Sequence, residues 1–84
     1  MRVYPIKDGI ATKYKGSGYA LAAVAGNEIV GIVYLRDVDI NFDGGKRAAE
    51  KLMMDERIAP FVRELSALGE VFVGMCSSWE FVVL

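Results

Sequence analysis

The apolar residues of this chain fall into short blocks separated by turn residues. The longest block, residues 19–35, is interrupted by polar side chains only at Asn27 and Glu28. Gly26-Asn27 is a strong two-residue turn signal, so the block predicts a β-hairpin of strands 19–25 and 28–36. Pairing Ala25 with Glu28 across this turn places Tyr19 opposite Tyr34.

Both faces of the predicted hairpin are apolar, whereas a half-exposed strand would alternate apolar and polar residues. One face is low and suits close docking of a helix: Ala20, Ala22, Val24, Ile29, Gly31 and Val33. The other carries Tyr19, Leu21, Ala23, Val30, Ile32 and Tyr34. We therefore expect the hairpin in the middle of a sheet, with helices on one face and a second subunit on the other.

The residues before and after the hairpin predict three further strands. Residues 2–6 form a short strand at an edge, because Pro5 has no N–H to donate. Residues 70–84 form a second hairpin around Ser77-Ser78, with strands at residues 71–73 and 81–84.

Two helices are predicted between the hairpins. The first runs from a cap at Asp43 to about residue 55, with an apolar stripe at Ala48, Ala49, Leu52 and Met53. The second begins at Pro60, which suits a first helical turn, and ends near Leu68 before Gly69. The element order β-ββ-αα-ββ predicts one α+β domain, residues 1–84, with a mainly antiparallel sheet of about five strands and two helices on one face.

The composition favours self-association. A chain of 84 residues that is 54% hydrophobic cannot bury all its apolar side chains internally. It has one cysteine, Cys76, and no histidine, which excludes an intrachain disulfide, a His/Cys zinc site in one chain and Ser-His-Asp catalysis. We predict a homodimer, with Cys76 in the core and interface contacts from Tyr19, Tyr34, Trp79 and Phe81.

The charge and the first residues indicate the cellular setting. A net charge of −1 argues against a main role in binding nucleic acid. Residues 1–5 are too polar for a signal peptide, and the 19–35 block with Glu28 near its centre favours a hairpin over a membrane span. The lone cysteine is typical of a reducing compartment. The sequence thus predicts a cytoplasmic protein outside the membrane.

Two basic segments are candidate sites for a phosphate-bearing ligand. Gly44, Gly45, Lys46 and Arg47 open the first predicted helix, where free N–H groups and the helix dipole favour an anion. Lys13 and Lys15 flank Tyr14, and an aromatic between cations suits phosphate binding with base stacking. The alternatives are an ordinary capped helix with solvated charges and an ordinary exposed loop.

A third candidate site is acidic. Asp37, Asp39 and Asp43 lie within seven residues and supply the oxygen ligands that hard cations prefer. Their spacing does not match the EF-hand loop. The alternative is that Asp37 and Asp39 solubilise a strand end while Asp43 caps a helix.

Parts of the first half resemble the small proteins that bind or help to assemble the nitrogenase iron–molybdenum cofactor. The resemblance lies in Met1-Arg2-Val3, Lys7-Asp8-Gly9, Asn27-Glu28-Ile29-Val30-Gly31 and Gly45-Lys46-Arg47-Ala48-Ala49-Glu50-Lys51-Leu52. It implies a distant cofactor-binding role. The chain lacks histidine, so no site residue is carried over.

The leading functional hypothesis is a non-catalytic binding or interaction module that works as a homodimer, binds an anionic ligand and needs no cofactor. One alternative is a cation site or a small enzyme using Asp37, Asp39 and Asp43. Another is a structural subunit of a larger complex.

Overall fold

The structure is a computed structural model that describes residues 2–7, 18–35, 51, 53–77 and 79–84. Its elements are β1 Val3–Pro5, β2 Gly18–Ala25, β3 Glu28–Tyr34, α1 Ala59–Ser66, β4 Glu70–Cys76 and β5 Glu80–Val83. The strands form one sheet in the order β1-β5-β4-β2-β3, and every neighbouring pair is antiparallel. The α+β class and the antiparallel five-stranded sheet are confirmed.

The first hairpin forms at the predicted turn but changes register within its second strand. Ala25 pairs with Glu28 and Val24 with Ile29, as predicted, whereas Ala23 pairs with Gly31. Val30 is thus the extra residue of a β-bulge, and such a bulge moves every later residue of its strand to the opposite face. Tyr34 consequently pairs with Ala20, and the prediction that it pairs with Tyr19 is wrong.

The predicted position of this hairpin is half correct. Strand β2 is central, between β3 and β4, but β3 is an edge strand. The other edge is β1, as the proline in this strand predicted. The second hairpin is also confirmed, since β4 and β5 pair antiparallel and the Ser77 N–H donates to the Glu80 carbonyl at 2.9 Å.

The sheet curls until its two edges approach each other. Strands β1 and β3 lie at opposite ends of the strand order yet are in contact. The Lys7 ammonium, just beyond β1, forms an ion pair of 2.6 Å with the Glu28 carboxylate at the start of β3. Curling therefore gives the sheet a concave inner face and a convex outer face.

The concave face encloses the larger of two apolar clusters. Its buried members come from all five strands and from Ile6: Tyr4, Ile6, Ala20, Ala22, Val24, Ile29, Phe72, Cys76, Phe81 and Val83, with Ile32 and Tyr34 packed beside them. Gly74 admits the Phe81 ring, because a Cβ at Gly74 would lie 2.7 Å from that ring. The Arg2 guanidinium lies 4.6 Å from the centre of the Phe72 ring. The sheet thus buries this face against itself.

The convex face packs against α1. The cluster between them contains Leu21, Ala23, Ile58, Val62, Leu65, Val71 and Val73, with Val33 and Leu35 at its border. After the bulge Gly31 also lies on this face, and a Cβ there would lie 3.0 Å from the side chains of both Leu65 and Leu68. The bulge therefore places a glycine, which has no side chain, beneath the helix and lets the helix pack closely there.

Two helix predictions need correction. The helix docks on the face that carries Leu21 and Ala23, whereas the sequence assigned it to the face of Ala20, Ala22 and Val24. One of the two predicted helices is supported, as α1. The other falls largely outside the described residues: Lys51 is helical, whereas residues 53–55 form a turn and a bend.

Candidate functional site

The convex face carries the candidate site, a row of apolar side chains that α1 leaves accessible. Val3 pairs with Val82, Val82 with Met75, and Met75 with Tyr19. Residues paired across a sheet point to the same face, so these four side chains form one line across β1, β5, β4 and β2. We call Val3, Val82, Met75 and Tyr19 the convex row.

Much of the convex row is open to solvent. The exposed fraction is 52% for Val3, 47% for Met75 and 37% for Tyr19, while Val82 is of intermediate burial. In the described part of the chain α1 contacts β4, β2 and β3, so the helix lies to one side of β5. The row is apolar throughout, and such patches on small proteins commonly mark contact surfaces.

The four predicted interface residues separate into two groups. Tyr19 lies in the convex row, and Trp79, in the turn between β4 and β5, is 66% exposed. Phe81 is fully buried and Tyr34 packs beside it on the concave face. Phe81 is buried because the curl of the sheet encloses its face of β5, and its predicted subunit contact stays a prediction. Sequence reasoning missed Val3, Val82 and Met75, whose alignment depends on long-range strand pairing.

Tyr34 and Cys76 form a polar contact at the border of the concave cluster. The Cys76 thiol donates to the Tyr34 hydroxyl oxygen at 3.8 Å. Burial, with smaller contributions from Cys76, raises the pKa of Tyr34 from 10.0 to about 12. Burial also raises the pKa of the Cys76 thiol. Because the thiolate is the nucleophilic form, this environment makes Cys76 a packing residue, as predicted, rather than a reactive one.

The residues of the predicted ligand sites are not among those that the structure describes. Lys13, Lys15, Gly44, Gly45, Lys46 and Arg47 all lie outside the described residues, and so do Asp37, Asp39 and Asp43. Within the described ranges, no group of three or more acidic or cysteine residues is positioned to hold a metal ion.

Among the helical residues that the structure describes, no segment has both the length and the hydropathy needed to cross a bilayer. Residues 19–35 form the predicted hairpin, strands β2 and β3, rather than a helix.

Comparison with protein-family models finds no match for this chain, and comparison with curated proteins finds none either. The resemblance to the iron–molybdenum cofactor proteins thus rests on the four quoted segments alone.

Proposed function

We propose that this protein is a small non-catalytic interaction module that self-associates through the convex row. The observation that carries the proposal is the alignment of four apolar side chains across four strands, with Val3 and Met75 about half exposed. Removing such side chains from water is favourable by about 25 cal/mol per Å² of apolar surface. A second copy offers an identical uncharged row, so association places no charge in an apolar contact.

The size of the row sets the expected strength of association. Four neighbouring strands span about 14 Å, since adjacent strands lie about 4.8 Å apart. One row with its flanking atoms is well short of the roughly 800 Å² per partner in stable complexes. We therefore expect a reversible dimer with a Kd between about 1 μM and 1 mM, or about −8 to −4 kcal/mol.

The test measures the weight-average mass of the full chain by sedimentation equilibrium from micromolar to millimolar concentration. The wild type should rise from 9.2 kDa toward twice that mass. Met75→Lys should remain monomeric, because the dimer would bury an unpaired ammonium.

Met54→Lys is the matched control, since Met54 is 88% exposed and lies outside the convex row. It should associate like the wild type. A wild type that stays monomeric at millimolar concentration would refute the proposal, and so would equal association of the Met75→Lys and Met54→Lys variants.

Binding of a phosphate-bearing ligand near Lys13, Lys15, Lys46 and Arg47 stays a prediction from the sequence. So does the alternative of a cation site at Asp37, Asp39 and Asp43. Self-association is the part of the hypothesis for which the described surface supplies an argument.

A further inference from the structure

We draw no further inference here: the strongest candidate, the outer edge of strand β3 with its uncharged residues 29–34, supports no proposal, because nothing in the described part of the chain shows what covers it.

Discussion

The two faces of one sheet are both apolar in sequence but are covered in different ways. On the concave face the sheet curls until β1 approaches β3, so that Phe81 and Phe72 are buried by the sheet itself. On the convex face α1 covers the part formed by β2, β3 and β4 and leaves Val3 and Met75 about half exposed. An apolar face therefore does not imply a partner, since curvature alone can enclose it. The sequence assigned one whole face of the hairpin to a second subunit, whereas α1 covers Leu21 and Ala23 on that face.

The largest expected effect is a difference in the free energy of unfolding between variants of Phe81 and Val82. These neighbouring residues of β5 point to opposite faces of the sheet. Phe81→Ala should lower the free energy of unfolding by about 3–5 kcal/mol, because it leaves a cavity inside the curl. Val82→Ala should cost well under half of that, since Val82 is only partly buried on the convex face. Urea unfolding at low protein concentration measures both variants as monomers. Similar losses would mean that the two faces are equally buried in solution.

A smaller effect, on the pH dependence of folding stability, comes from the contact between Tyr34 and Cys76. The raised pKa of Tyr34 means that the folded state keeps the phenol protonated at pH values where the unfolded chain ionises. Stability from this group is therefore complete below pH 10.0 and is lost progressively as the pH rises toward about 12. The raised pKa of Cys76 acts in the same direction.

Tyr34→Phe tests this linkage, because it removes the titrating hydroxyl and keeps the ring. Urea unfolding between pH 9 and 12 should show a shallower loss of stability for this variant than for the wild type. Tyr19→Phe, on the convex face, serves as the control and should keep the wild-type slope. The same slope for all three proteins would contradict the burial of the Tyr34 hydroxyl.

The smallest expected effect on stability comes from the ion pair that links the two edges of the sheet. Lys7 and Glu28 are both exposed, so their coupling should be between 0 and about 1 kcal/mol and should fall as salt is added. A double-mutant cycle with Lys7→Ala and Glu28→Ala measures it by thermal unfolding. A coupling of several kcal/mol would show that charge, rather than the apolar cluster, holds the curl closed.

Several features of the fold could be predicted from the sequence because they depend on neighbouring residues. Gly26-Asn27 fixed the first turn and the pairing of Ala25 with Glu28, and Pro5 placed β1 at an edge. Pro60 marked the first turn of α1. The bulge at Val30 has only a weak local signal, the isolated Gly31 that follows it inside the strand, and it reversed the faces of every later residue in β3.

The candidate site likewise combines residues that the sequence could predict with residues that it could not. Tyr19 and Trp79, two of the four predicted interface residues, are exposed, but Val3, Val82 and Met75 become neighbours only through strand pairing across the sheet. The burial of Phe81 could not be predicted, because a pattern of apolar residues does not reveal which face is enclosed by curvature.

By itself the sequence determined the five strands and α1, the antiparallel class and the apolar character of both faces, since these follow from turn chemistry and residue periodicity. Only the tertiary structure decided the register after the bulge, the docking face of α1 and the closure of the sheet. These depend on contacts between residues far apart in the chain, such as Lys7 with Glu28 and Gly31 with Leu65. No short stretch of sequence contains both members of such a pair.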